Sequence, residues 1–201
     1  MTSRSNRPLM VALSHPGALL EPGLLCSLRT AGCEDGVVLA STGRTEVYTV
    51  SARADPAGIL ALIEAGTCPR TGMAAQLLTG DAVVAHLFRS AAGLGASPGS
   101  DVYERLRLAY RDAQAAGMAG PDLSHLMHGA LRCGFAVRDR LGAGSTVINL
   151  TDDRETAGER LASRMVAGAV ARYVDGVAAR GVGPLIPAPR QPRRLRVELQ
   201  T

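Results

Sequence analysis

Four polar side chains alternate along one β-rich stretch of the chain. Thr42, Arg44, Glu46 and Tyr48 occupy every second position. Because successive side chains of a β-strand point to opposite faces, a strand here would present all four on one face. An arginine in that row could hold a ligand carboxylate through two parallel hydrogen bonds. The alternative is a surface pair of Arg44 with Glu46 at a strand end, and the pattern alone leaves both interpretations open.

A second group has the residue types of a metal site. His125 and His128 lie three residues apart in a predicted helix, and Cys133 follows five residues later. Residues three apart share a helix face, so the two imidazoles could bind one metal ion. No third ligand is evident from the spacing. Surface or half-buried histidines are therefore the favoured interpretation, and the sequence predicts no metal.

Composition excludes several classes of function. All 22 basic residues are arginine, which excludes Schiff-base lysine chemistry and the phosphate loop that requires a lysine. Aromatic residues make up 3% of the chain and tryptophan is absent, which argues against nucleic-acid binding by base stacking. The glycine-rich stretches at 93–99 and 142–145 follow predicted helices rather than strands. Neither is therefore a candidate dinucleotide site.

The distribution of apolar and charged residues predicts a cytoplasmic protein with no membrane contact. No apolar run is long enough for a membrane helix, and no apolar signal region follows the first arginines. The four cysteines are scattered, as expected for reduced thiols. The segment 181–201 carries four arginines against one glutamate. It could contact RNA or an acidic partner, although a solvated, disordered end is the favoured interpretation.

Hydrophobic periodicity predicts an α/β half followed by a helical half. Short strands are expected at 9–14, 36–42 and 45–51, with helices starting near residues 22 and 55. Beyond residue 70 the period is helical, with helices expected to begin near residues 81, 101, 121 and 151. The predicted organisation is an α/β subdomain (1–70), a helical subdomain (71–150), an amphipathic helix (151–180) and a tail rich in Pro and Arg (181–201).

The predicted helix over 151–180 has a continuous apolar face. This face carries Leu161, Met165, Ala169, Tyr173 and Val177. Such a face could fold onto the domain or pair with a second copy of the chain. A homodimer is therefore one of the expected partnerships.

Three blocks of sequence, in order and at similar spacing, resemble the glutamyl-tRNA reductase family. The stretch 41–48 is similar to the signature of that family, which reads roughly S-T-C-N-R-T-E-(L/V)-Y. The stretch 85–94 is similar to its (S/A)HLFRVAAGL helix, and 123–147 is similar to its F-x-x-(A/G)-K-x-V-R region. The resemblance covers about residues 8–148. It implies the fold of the family's N-terminal domain, a small α/β sheet unit followed by a helical subdomain.

The resemblance also implies an activity and a set of site residues. Members of the family attack glutamyl-tRNA with a cysteine thiolate. They then reduce the thioester with NADPH held in a second domain, which supplies tetrapyrrole synthesis. By this match, Arg44 would hold the glutamyl group and His86 would act as a general acid or base near the ester. Glu46 and His15 stand at matching positions and are expected to bind substrate, and Tyr48 also matches.

The chain departs from the family at its centre of chemistry. Thr42 stands where the family has its nucleophilic cysteine, and Gly43 stands where it has asparagine. A threonine hydroxyl is far less ionised than a thiol at neutral pH, so it is a weaker nucleophile. The family's G-E-P-Q-I-L-G-Q loop is missing, since the corresponding stretch 97–104 has a different sequence and is shorter by roughly two residues. We also expect no NADPH domain. From these differences we expect no cofactor and no ordinary reductase activity.

Two classes of function, and a third less favoured, follow from these features. The first is a stand-alone enzyme that binds glutamyl-tRNA or a smaller glutamyl compound and performs non-redox acyl transfer or hydrolysis in specialised biosynthesis. In it, His86 would be the base and Thr42 a weak nucleophile or hydrogen-bond donor. The second is a non-catalytic pseudo-enzyme that binds glutamyl-tRNA or a reductase partner. The third is the catalytic half of a split reductase, which the missing cysteine disfavours.

Overall fold

The computed structural model describes residues 9–15, 17–19, 23–41, 44–51, 56–69, 75–94, 101–141 and 157–179. These residues form two compact units. The first contains the described residues up to Val83 together with Ala109–Leu123. The second contains Val84–Leu108 and the described residues from Ser124 onward. The described strands all lie in the first unit, whereas the second unit is helical.

Four antiparallel strands form the main sheet of the first unit. They are β1 (Leu9–His15), β3 (Val37–Ser41), β4 (Arg44–Ser51) and β6 (Gln76–Thr79). Their order across the sheet is β3-β4-β1-β6, so β4 and β1 are the central strands. Two three-residue strands, β2 (Gly17–Leu19) and β5 (Thr67–Pro69), pair separately with each other. A small sheet combined with helices confirms the predicted α/β fold class.

Strand β4 is buried along most of its length. Residues 45–50 are all buried, and Thr45 and Tyr48 have no exposed surface. Because neighbouring side chains on a strand point to opposite faces, this continuous burial means that both faces of β4 are covered. Arg44, at the start of the strand, is exposed. The strand therefore runs from an exposed end into the interior of the first unit.

Two helices pack beside this sheet. Helix α1 (Leu24–Thr30) precedes β3, and helix α2 (Pro56–Gly66) follows β4. Helix α2 begins at Pro56, as predicted, because proline at the first helical position loses no helical hydrogen bond. It packs against α1 and β1, with Ile59 and Ile63 buried one turn apart. Helix α2 therefore packs directly against the central strand β1.

Four longer helices complete the described chain. They are α3 (Asp81–Ala91), α4 (Val102–Ala115), α5 (Pro121–Leu141) and α6 (Ala157–Ala179). The first three begin within one residue of the starts predicted near residues 81, 101 and 121. For α6 the described helix begins at 157, and the predicted start at 151 lies outside the described residues. Among the helices that the structure describes, none has the length and apolar character needed to cross a membrane.

The connection between α4 and α5 is hydrogen-bonded to the end of α1 and to the residue directly before β3. The Arg29 guanidinium donates hydrogen bonds to the carbonyls of Ala116 and Gly117, at 2.5 and 3.0 Å. The backbone N–H of Gly36 donates to the Met118 carbonyl at 2.8 Å. Gly117 has a φ of +65°, a conformation that glycine adopts without steric cost. These bonds hold distant parts of the sequence together beside β3.

Asp35 secures the same junction through both its side chain and its backbone. Its carboxylate accepts the N–H of Gly120 at 2.9 Å, and its carbonyl accepts the Thr49 hydroxyl at 2.6 Å. Burial raises the pKa of the Asp35 carboxyl, the Gly120 hydrogen bond opposes this, and the charges of Asp122 and Glu34 add to the increase. The junction thus links β4, the turn before β3 and the start of α5.

The second unit is packed around the inner faces of its helices. Its fully or nearly fully buried side chains include Leu87, Phe88, Leu126, Met127, Ala130, Ala162 and Val166. Gly134 of α5 lies so close to the carbonyl of Ala91, at the end of α3, that a Cβ there would collide with it. Glycine therefore permits the close approach of these two helices.

Two sequence expectations need correction. The strand β6 lies in a region where the sequence predicts only helical periodicity, because four residues directly before a helix are too few to show a strand period. In α6, the expected apolar face is mostly half-buried, and the most buried positions are Glu159, Ala162, Val166 and Val177. The inner face of α6 is thus rotated from the one predicted.

Candidate substrate-binding site

The alternating residues of β4 do lie in one row, and the row crosses from the exposed end of the strand to its buried part. In the pairing with β3, Arg44 is opposite Ser41 and Glu46 is opposite Leu39. Tyr48, two residues further, is opposite the fully buried Val37. The exposed fraction of the row therefore falls from Arg44 inward. Thr42, the predicted nucleophile, and its neighbour at position 43 lie outside the described residues.

Glu46 joins the other two members of the row. Its Oε1 lies 2.7 Å from Nε of Arg44, and its Oε2 accepts the Tyr48 hydroxyl hydrogen at 2.5 Å. The Glu46 side chain is only 8% exposed, whereas the Arg44 side chain is 45% exposed. The Arg44–Glu46 pair that the alternative interpretation expected is present, but only Arg44 is exposed. The pair links a buried carboxylate to a guanidinium at the rim.

This arrangement explains how a carboxylate is tolerated inside the sheet. A buried charge without partners is costly, and hydrogen bonds that involve an ionised group are stronger than neutral ones. Glu46 receives one such bond from each neighbour in its row. In return, the contact at Nε orients the planar guanidinium of Arg44 at the exposed end of β4. An oriented, exposed guanidinium is the group that binds carboxylates in two-point contacts.

The strand register shows which backbone positions flank this row. On the β1 side, Ser14 is opposite Glu46, and His15 is opposite Thr45. Ser14 is in turn opposite Gln76 of β6. Sequence reasoning grouped His15 with Arg44 and Glu46, and His15 directly follows the residue that is paired with Glu46. The pairing of Ser14 with Glu46 and with Gln76 follows only from the register.

The predicted general base lies in the other unit. His86 is half-buried in α3, next to the buried residues Leu87 and Phe88. It belongs to the second unit, whereas Arg44 and Glu46 belong to the first. The structure thus brings together Arg44, Glu46 and Tyr48 within one unit. The role of His86 stays a prediction.

The histidines of α5 have structural surroundings of their own. The ring of His125 stacks on Tyr173 of α6, with centroids 5.1 Å apart and planes 26° apart. His128 is exposed, and Cys133 is buried, which raises the pKa of its thiol. Within the described ranges, no group of three or more His, Cys, Asp or Glu residues is arranged to hold a metal ion.

The fold and the sequence together define the class of protein. A family model described as glutamyl-tRNA(Glu) reductase, N-terminal domain, matches residues 14–141. This range includes β4 with its Arg44–Glu46 pair and the helices α1 to α5. The match covers more than half of the chain, and the chain belongs to this family. The resemblance carried by the three sequence blocks is thereby confirmed.

Individual relatives agree with this assignment. The glutamyl-tRNA reductase of Hyperthermus butylicus is 34% identical over 134 residues, which cover 62% of this chain and 31% of that protein. The glutamyl-tRNA reductase of Roseiflexus castenholzii is 32% identical over 150 residues, covering 70% of this chain and 35% of that protein. The chain thus spans about a third of the length of these curated relatives.

A solved structure shares the fold. The glutamyl-tRNA reductase from Methanopyrus kandleri aligns with a TM-score of 0.53 and 18% sequence identity. The alignment covers 87% of this chain and 53% of that one. At this identity the likeness concerns the fold alone.

Proposed function

We propose that this protein binds a glutamyl group, carried by tRNA or by a smaller ester, with Arg44 holding a carboxylate of that group. The observation that carries the proposal is the pairing of the 45% exposed Arg44 with the buried Glu46. A guanidinium that is oriented through its Nε and is 45% exposed suits two-point recognition of a carboxylate. The relatives named above are glutamyl-tRNA reductases, which supports a glutamyl ligand.

We further propose that the chemistry is non-redox acyl chemistry on the glutamyl ester. Thr42 stands at the position of the family's cysteine, and its hydroxyl is a much weaker nucleophile than a thiolate. In the hydrolytic form, His86 would remove a proton from water as the water oxygen attacks the ester carbonyl. The ester bond to the ribose oxygen then breaks, and the imidazolium returns the proton to that oxygen. Free glutamate and tRNA are the products.

In the transfer form, an amine or hydroxyl acceptor replaces water and becomes acylated. The proton follows the same route through His86 to the departing ribose oxygen. Thr42 would donate a hydrogen bond, or accept the acyl group transiently. Both forms consume the ester without an oxidant or reductant.

A reaction assay with radiolabelled glutamyl-tRNA tests the proposal. The purified chain is mixed with the RNA at low and then moderate salt, and both retained RNA and surviving ester are measured. We expect ester loss well above the spontaneous rate in the wild type and a return to that rate in His86→Ala. Arg89→Gln, at an exposed position of the same helix, is the matched control and should react like the wild type.

Binding without ester loss would instead support the pseudo-enzyme alternative, which the replacement of cysteine by Thr42 favours. In that case RNA retention should depend on Arg44 and not on His86. Absence of both retention and turnover would contradict binding of a tRNA-borne glutamyl group. A glutamyl ester without the RNA is then the remaining form of the ligand to assay.

A further inference from the structure

The second unit contains a cavity of about 530 Å³ between α5 and α6 that the glutamyl proposal does not use. Arg132 of α5 and Arg172 of α6 line it from opposite helices. Both arginines are exposed, and within the described part of the chain neither forms an ion pair. None of the described lining residues is acidic. Two cations facing one cavity raise its positive potential and attract an anion.

The remaining walls of this cavity are aromatic or small. The ring centroids of Phe88 and Tyr173 lie 5.7 Å apart. The ring of His125 stacks on that of Tyr173, with centroids 5.1 Å apart. Gly129 of α5 lies close beneath these rings, so that a Cβ there would come within 3.0 Å of Phe88. The Phe88 and Tyr173 rings are tilted by 59° and Phe88 is only 1% exposed, so the accessible aromatic surface beside the two guanidinium groups belongs to the half-buried Tyr173 and His125. Aromatic faces bind planar rings, and guanidinium groups bind carboxylates and phosphates.

The aromatic lining continues along α5. His125 and Arg132 also line an adjoining surface depression, together with Tyr103 and the 62% exposed Phe135. Four of the six aromatic residues of the chain therefore lie on these two neighbouring surfaces. The low aromatic content of the sequence conceals this concentration.

We propose that the cavity between α5 and α6 is a binding site for a small anionic aromatic molecule, namely a planar ring that carries a phosphate or a carboxylate. Its volume lies in the range of small-molecule sites, roughly 300 to 1,000 Å³. Arg132 and Arg172 bind the anionic group, while Tyr173, stacked on His125, contacts the ring. The site lies entirely within the second unit and involves neither Arg44 nor Glu46.

Calorimetric titration with phenyl phosphate, benzoate, inorganic phosphate and phenol tests this site. Phenyl phosphate or benzoate should bind at least about tenfold more tightly than inorganic phosphate or phenol. Only phenyl phosphate and benzoate carry both an anionic group for the arginines and a ring for the aromatic side chains. Arg132→Gln and Arg172→Gln should each weaken binding about tenfold, the size expected for one charge-assisted hydrogen bond. Arg164→Gln is the matched control, since Arg164 is an exposed arginine of α6 outside the cavity.

A second variant tests the cavity without changing its charge. Ala136 lines the cavity but is itself exposed, so Ala136→Phe should leave the fold intact and fill the space. We expect this variant to lose binding of both aromatic anions. Equal weakening in Arg164→Gln and Arg172→Gln, or no binding of either anion at roughly 10 mM, would overturn the proposal. Displacement of phenyl phosphate by a short single-stranded RNA at lower concentration would also overturn it, in favour of a nucleic-acid surface.

Discussion

Glu46 is held by two partners of very different exposure, and this asymmetry determines what each residue contributes. Tyr48 is fully buried, and its hydrogen bond to Glu46 belongs to the interior of the first unit. Arg44 is at the rim, and its contact at Nε both neutralises Glu46 and orients the guanidinium. In our proposal, the same pair therefore has a structural role through Glu46 and a binding role through Arg44. Substitutions can separate the two.

Removing the guanidinium should destabilise the first unit. In Arg44→Ala the buried Glu46 carboxylate loses its cationic partner, and we expect the free energy of unfolding to fall by about 1–2 kcal/mol. Urea unfolding followed by circular dichroism measures this change. Arg107→Ala is the control, because Arg107 pairs with Glu104 on the surface, with side chains 54% and 42% exposed. That change should stay within about 0.5 kcal/mol, and equal effects would show that Glu46 needs no partner.

Two features of the sequence pointed to Glu46, its place in an alternating row and its match to the family. Alternation predicts which residues share a face, and it predicted Arg44, Glu46 and Tyr48 correctly. It cannot predict burial, because burial depends on β3 and β1, which pair with this strand from other parts of the chain. The surface-pair alternative was left open for that reason. The same limit explains why the pairing of Ser14 with Glu46 was not predicted.

At the scale of single elements, the helix starts were the most predictable features. A helix was expected to begin near residue 101, and Asp101 caps α4 there, since its Oδ1 accepts the N–H of Glu104 at 3.0 Å. Pro56 and Pro121 each begin a helix at the predicted position. These signals act within one turn of chain, so the local sequence determines them. The strand β6 and the buried face of α6 depend on distant partners, and both needed correction.

The cap of α4 gives a prediction about pH. Arg138 donates two hydrogen bonds to the Asp101 carboxylate, at 2.7 and 3.4 Å, and this contact lowers the pKa of Asp101 below its usual value of 3.8. A carboxyl whose pKa is lower in the folded state stabilises the fold above the unfolded-state pKa. That contribution is lost as the pH falls from about 4 through the lowered value. Because both side chains are partly exposed, we expect less than about 1 kcal/mol.

Unfolding in urea between pH 7 and pH 3 measures this effect. Arg138→Gln should reduce the loss of stability over that interval compared with the wild type. Asp101→Asn should do the same while retaining the cap, since asparagine caps helices about as well as aspartate. Asp101→Ala should lose about 1 kcal/mol more than Asp101→Asn at pH 7. An unchanged pH profile in Arg138→Gln would contradict the ion pair.

The contact between α3 and α5 gives a second prediction at this scale. Gly134→Ala places a methyl group against the Ala91 carbonyl, so the helices must separate. We expect a loss of about 1–3 kcal/mol, measured by thermal unfolding. Gly176→Ala in α6 is the matched control, because a Cβ there meets nothing within 4 Å. It should be neutral or stabilise the helix by up to about 1 kcal/mol, and destabilisation as large as that of Gly134→Ala would contradict the packing account.

For the whole molecule, the family assignment and the geometry of the site answer different questions. The match over residues 14–141 establishes the relationship to glutamyl-tRNA reductase N-terminal domains. The arrangement of Arg44, Glu46 and Tyr48 is the observation on which the proposed carboxylate binding rests. The threonine at position 42 marks where its chemistry should differ from that of the family. The cavity in the second unit adds a further anion site to the proposal.

The central claim is that Arg44 recognises the carboxylate of a glutamyl group. The most direct measurement compares two aminoacyl groups, one with and one without a side-chain carboxylate, on the same tRNA. The same tRNA is charged with glutamate or with glutamine, and binding of each is measured for the wild type, Arg44→Lys and Arg44→Gln. We expect the wild type to prefer the glutamyl form by at least about tenfold. Arg44→Lys should weaken this preference, because a lysine cannot form the two-point contact. Arg44→Gln should abolish it.

Arg111→Gln, at an exposed position of α4, serves as the control and should keep the wild-type preference. Circular dichroism at the assay temperature establishes that each variant is folded. A folded Arg44→Gln protein that still prefers the glutamyl form as strongly as the wild type would contradict the claim. Our proposal predicts that Arg44→Gln loses the preference for the glutamyl form and that Arg111→Gln keeps it.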